Sequence, residues 1–176
     1  MRFRSWRAVA AALLLLAPGA AWAAGAGPTL AGTFRDWFVY RAGAGAARVC
    51  YALAQPRESQ PANVQRGEVF FLVSTWPGAN KRNEPSIVPG YPYRDGTAVT
   101  VEIGGQRFNF DLVRNSGDEG GAWMQEPAQE ARLLAAMRGG ATMIVTGTST
   151  RGTLTRDTYS LAGISAALDN VAATCR

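Results

Sequence analysis

The 176-residue chain contains no histidine. That removes the commonest general base, the usual serine and cysteine triads and the commonest metal ligand together. Lysine is nearly absent as well: Lys81 stands alone in a polar stretch with Asn80, Arg82 and Asn83, flanked by Pro77, Gly78 and Pro85. A Ser–Lys nucleophile pair needs its amine desolvated so that it can lose its proton. A solvated loop is the wrong setting for that. Only two cysteines occur, Cys50 and Cys175, and they form no C-x-x-C motif for local thiol exchange. Two thiols without histidine also leave a zinc shell incomplete, so neither metal nor cofactor is expected. Beyond residue 23, no stretch supplies the ~20 apolar residues that cross a bilayer.

What the chain does have begins at its first residue. Arg2, Arg4 and Arg7 form a positive start, residues 8–17 are apolar, and Pro18 and Gly19 break the run. Ala21-Trp22-Ala23 then supplies a small-x-small cleavage pattern. Residues 1–23 therefore read as a cleaved signal peptide, and residues 24–176 as one domain that is periplasmic or secreted. Processing removes three of the 18 basic residues, leaving 15 against 13 acidic, a net of +2 in place of +5. Those arginines are scattered singly and form no basic stripe, so nucleic acid is not an expected partner. In an oxidising compartment an even pair of cysteines is most simply one disulfide, Cys50–Cys175. Closing so long a loop stabilises a fold by about 5 kcal/mol on the chain-entropy account.

The body reads mostly as strands. Residues 34–40 carry Trp37 and Val39 on one face, with Phe38 and Tyr40 on the other. Residues 48–54 group Val49, Tyr51 and Leu53, with Cys50 among alanines opposite. Residues 69–73 are continuously apolar, as in a strand buried on both faces. Val99, Val101 and Ile103 alternate with polar residues, Gly104-Gly105 turns the chain, and Phe108, Phe110 and Leu112 alternate again: a β-hairpin. A further pair spans 143–148 and 154–161 around Arg151-Gly152. Two short helices interrupt the pattern. One can take Pro127 in its first turn, shares Leu133, Leu134 and Met137 on a face, and stops at Gly139-Gly140. The other is capped by Ser165 and carries Ile164, Leu168, Val171 and Cys175 at helical spacing. Short strands, glycine turns and connector helices predict an all-β, antiparallel β-sandwich with two short helices.

Carboxylates offer the remaining route to catalysis, and paired ones can run glycoside chemistry. Asp118-Glu119 lie in a glycine-rich loop and Glu126 and Glu130 flank a helix start, where acidic residues are expected for dipole reasons alone. Aromatic and arginine residues are the better candidates for a binding surface, being the types that dominate hot spots. Gly90-Tyr91-Pro92-Tyr93-Arg94-Asp95-Gly96 is a proline-constrained loop that presents Tyr91, Tyr93 and Arg94. Trp76 opens another loop that carries Arg82, and Arg151 and Arg156 flank the last hairpin. Aromatics beside prolines at strand ends also serve as plugs at the rim of a core.

The run 149–163, Ser-Thr-Arg-Gly-Thr-Leu-Thr-Arg-Asp-Thr-Tyr-Ser-Leu-Ala-Gly, with the short helix and terminal cysteine after it, resembles the invasion-associated locus B family of exported α-proteobacterial proteins. Asp36-Trp37, the segment 49–56, Arg82-Asn83-Glu84, the loop 90–96 with its hairpin, Ala122-Trp123 and the segment 135–139 match in family order. The resemblance implies an immunoglobulin-like sandwich and an exported, non-enzymatic protein, associated at the family's founding with bacterial entry into host cells. One departure is Tyr40, where members often carry a further cysteine. No catalytic residues carry over. Surface recognition of a protein or glycan partner, in the envelope or on a host cell, is the leading expectation. Envelope maintenance through a cell-wall glycan or another periplasmic protein is the alternative, and a carboxylate-based hydrolase ranks below both.

Overall fold

The computed structural model describes residues 27–113 and 120–176. Residues 1–23, expected to be a signal peptide, and the Asp118-Glu119 pair lie outside them. The strands are β1 (Thr29–Phe34), β2 (Trp37–Ala42), β3 (Val49–Ala54), β4 (Glu58–Gln60), β5 (Phe70–Trp76), β6 (Lys81–Val88), β7 (Val99–Ile103), β8 (Gln106–Leu112), β9 (Ala122–Trp123), β10 (Thr142–Thr148) and β11 (Leu154–Ser160). Two helices accompany them, α1 (Pro127–Gly139) and α2 (Ile164–Thr174). This is the all-β class with two short helices that the sequence leads one to expect.

Every pairing is antiparallel, in the order β1-β2-β3-β5-β6-β9-β8-β7-β10-β11-β4. The halves on either side of β9 face one another. Phe71 of β5 meets Phe110 of β8 and Tyr159 of β11 edge-on, with ring centroids 6.1 Å apart in both cases. Trp37 of β2 donates its indole N–H to the Ser160 carbonyl of β11 at 3.0 Å. The two-residue β9 pairs with β6 on one side and β8 on the other, which joins the layers along one edge.

Local rules explain most of these elements. At the β7–β8 turn Gly104 and Gly105 both take positive φ (56° and 80°), the backbone a two-residue hairpin needs. Alternation then buries Val99, Val101, Ile103, Phe108 and Phe110. In β3 the inward face is the small one: Cys50, Ala52 and Ala54 are buried, while Tyr51 and Leu53 are half-exposed. Those small side chains leave room for α2, which packs on β1, β2 and β3 through Ile164, Ala167, Leu168 and Val171. The Cys50–Cys175 disulfide, expected from the cysteine count, ties the end of α2 to β3 with a Cα–Cα distance of 5.8 Å. Tyr40 stacks on Tyr51 across β2 and β3, on the face opposite Cys50, so that position does not compete for the bond.

The structure corrects four details. Residues 34–40 are not one strand: a turn at Arg35-Asp36, with Arg35 at φ 55°, separates β1 from β2. The run 69–73 is not buried on both faces; Phe71 and Val73 are wholly buried, and Phe70 and Leu72 half-buried. Lys81, Arg82 and Asn83 are not a loop but the start of β6, which continues through Pro85. Proline is tolerated there because β9 pairs with β6 only at Ser86 and Ile87. Finally, Gly163 (φ 95°) and not Ser165 caps α2, and Ser165 lies in its first turn.

Candidate functional site

An open cleft of about 470 Å³ runs between segments 64–66, 90–92 and 149–155. That volume falls within the ~300–1,000 Å³ of ligand sites. Backbone hydrogen bonds build its walls. Gly67 N–H donates to the Gly90 carbonyl at 2.8 Å, Arg94 N–H to Thr148 at 2.8 Å, and Thr150 N–H to Pro92 at 3.0 Å. Tyr93 and Ser149 form an isolated β-bridge. The tyrosine loop is thereby strapped along the turn after β10. The Ser149 hydroxyl accepts from Thr153 N–H at 3.1 Å, which closes that turn.

The floor is polar. Arg66 grips Asp157 of β11 with both guanidinium nitrogens, and only 8% and 4% of the two side chains reach solvent. Burial works against the Arg66 charge, but the hydrogen bond and charge of Asp157 outweigh it and hold the guanidinium above its ordinary value. Tyr91 shares a 2.5 Å hydrogen bond with the Thr155 hydroxyl. Burial raises the Tyr91 phenol, with that hydrogen bond opposing the rise. Arg66 also lies over the Tyr91 ring, 6.0 Å from its centroid.

Of the residues singled out from sequence, Tyr91 and Arg151 line this cleft together. Arg94 is exposed at its edge and reaches the Thr150 carbonyl at 3.4 Å. Tyr93 is a core plug: it is 8% exposed, and its ring occupies the space where Gly147 lacks a Cβ. Burial pushes its phenol well up. Arg156 projects from the exposed face of β11, away from Thr155 and Asp157. Trp76 and Arg82 lie elsewhere, at the β5–β6 turn. Trp76 lines a second cleft there with Trp123, Lys81 and Glu84. Glu126 caps α1 and accepts from Gln129 at 2.6 Å, and Glu130 follows one turn later, so neither lines the first cleft.

Sequence reasoning missed Arg66, Asp157 and Trp123. Arg66 sits in a stretch without periodicity. Asp157 did leave a signal: alternation puts it on the same face as Tyr159, and a carboxylate at an inward strand position calls for a buried partner.

The polar groups that line the first cleft are mainly hydroxyls and guanidiniums, set beside the apolar Val64 and Pro92. Hydroxyls of Tyr91, Ser149, Thr150, Thr153 and Thr155 accompany the Arg66 and Arg151 guanidiniums, and its lining includes no carboxylate, lysine or cysteine. Among the described residues no cluster of three metal-ligating side chains occurs. Nor is any helix among them long and apolar enough to cross a membrane. Fold and cleft together define an all-β, disulfide-closed protein with a polar groove at one end of its strands. Residues 37–172 match the family described as Invasion associated locus B (IalB) protein, and the chain belongs to that family. Comparisons with curated proteins and with solved structures give no match. The disulfide fits a location outside the reducing cytoplasm.

Proposed function

We propose that this member of the invasion-associated locus B family is an exported, non-enzymatic recognition protein that holds a partner protein in the cleft between 64–66, 90–92 and 149–155. The lining carries the reading. It offers hydrogen-bonding hydroxyls, one aromatic wall and the Arg151 guanidinium, which has no ion-pair partner among the described residues. A nucleophile held beside a free base is what hydrolytic chemistry needs, and the one carboxylate beneath these hydroxyls, Asp157, is engaged by Arg66. Arginine and tyrosine are residue types that concentrate binding energy, and Arg151 suits a partner segment carrying carboxylates.

The test uses the signal-free chain, crosslinked in extracts of its own envelope and of host cells. The wild-type chain captures a partner, and Tyr91→Ala with Arg151→Ala loses it; because Tyr91→Ala also removes packing and a hydrogen bond, Arg151→Ala alone, at an exposed position, must weaken capture while melting at the wild-type temperature. Retention of every partner by that double variant would contradict the placement. Turnover of a glycan substrate that disappears with Glu126→Gln or Asp118→Asn would contradict the non-enzymatic reading.

A further inference from the structure

The second cleft, at the far end of β6, has a different character. β5 ends at Trp76, which pairs with Lys81 across the turn, and Trp123 of β9 pairs with Ser86 on the other side of β6. Both indoles line one open cleft of about 380 Å³ with Ala79, Lys81 and Glu84. Few large apolar side chains are left exposed, yet Trp76 and Trp123 are 39% and 42% exposed. Neither is needed to fill the core. We propose that this cleft is a saccharide-binding site that takes the apolar face of neutral pyranose rings.

The chemistry of the walls selects that ligand. The axial C–H groups of a pyranose are slightly positive and match the negative face of an indole ring. Polar groups at the rim must then meet the ring hydroxyls. Glu84 does so with a carboxylate whose Oε1 accepts from Lys81 Nζ at 2.7 Å, which fixes the side chain and leaves Oε2 for a sugar hydroxyl. Glu130, at the start of α1, lies near enough for its charge to act on both Lys81 and Glu84. Within the lining Lys81 balances Glu84, so the walls carry no net charge, which suits a neutral sugar. Arg82 does not line the cleft.

The exposed area of the two rings matches a small ligand. An indole covers at most about 250 Å², so exposures of 39% and 42% leave about 100 Å² on each ring. Two rings of this exposure suit one or two sugar units. The site shares no residue with the first cleft. Either binding activity can therefore fail alone.

The experiment is a titration of the signal-free protein with the tetramer of N-acetylglucosamine, followed by calorimetry and by tryptophan fluorescence. Trp37 is wholly buried, so the fluorescence change reports Trp76 and Trp123. Saturable binding is expected, weakened about tenfold by Trp76→Ala and by Trp123→Ala and abolished by both together. Trp76→Tyr, which keeps a ring, retains most of the affinity, and Tyr91→Ala with Arg151→Ala changes nothing. Absence of saturation up to about 20 mM sugar would overturn the proposal, as would alanine variants that titrate like the wild type. So would sedimentation showing a wild-type dimer that Trp76→Ala dissociates, since the cleft would then be covered by a second copy.

Discussion

Asp157→Asn strips the buried Arg66 guanidinium of its counter-ion, and the expected loss of stability is about 3–5 kcal/mol. Solvent can replace the carboxylate only in part, because 8% and 4% of the two side chains are exposed. Asparagine keeps the shape of aspartate but turns one acceptor into a donor, so one prong of the fork faces N–H with N–H. Removing both charges, with Arg66→Met and Asp157→Leu, takes away the desolvation penalty as well as the attraction. That double variant is expected within about 1–2 kcal/mol of wild type. Urea unfolding is the assay: with a slope of about 2 kcal/mol/M, a loss of 3 kcal/mol lowers the midpoint by about 1.5 M. The same change should loosen residues 61–68, which have no regular secondary structure of their own and are tied down through Arg66 and the Gly67–Gly90 bond. Faster hydrogen exchange there is the local readout. A loss below about 1 kcal/mol for Asp157→Asn would refute the reasoning. An apolar double variant as unstable as the single one would do the same, because uncompensated charge could not then be the cause.

Three further outcomes follow from the geometry. Cys50→Ala with Cys175→Ala opens a loop of 125 residues and is expected to lower stability by about 5 kcal/mol, with α2 the first element to lose exchange protection; unchanged protection of α2 would count against it. Gly147→Ala places a methyl on the Tyr93 ring and is expected to lower stability by about 1–3 kcal/mol in thermal melts, whereas a neutral result would show that the ring is not fixed there. The Ser160 hydroxyl and the Arg57 guanidinium hold the Asp36 carboxyl below 3.8, so its stabilising contribution is present above that value and lost as pH falls through the lower native one. Asp36→Asn should therefore be less stable than wild type at neutral pH, with the gap closing in acid; a gap that persists at the lowest pH would contradict that assignment.

Periodicity was most legible where one face of a strand pair meets water. The β7–β8 hairpin alternates cleanly and turns on two glycines, so residues 99–112 read correctly. The β1–β2 turn was hidden because Arg35, not glycine, takes the positive φ. β6 was hidden by Lys81, Arg82 and Pro85, which read as a solvated loop until its partners on both sides are known. In the last helix, a glycine in the left-handed conformation supplied the start that serine was expected to supply. The first cleft was half visible: Tyr91 and Arg151 stood out by residue type, and the backbone brings them together. Arg66 could not be found, since its partner lies 91 residues away and nothing in residues 61–68 is periodic. The pairing of Trp76 with Trp123 likewise depends on β9, a two-residue strand too short to leave a pattern.

The central claim, that this protein acts by holding a partner in the cleft beneath Tyr91, is tested most directly by a hydrogen-exchange footprint of the signal-free chain with and without its captured partner. Slower exchange concentrated at 64–66, 90–92 and 149–155 is the result the account requires. Protection confined to other segments, with those three unchanged, would contradict it.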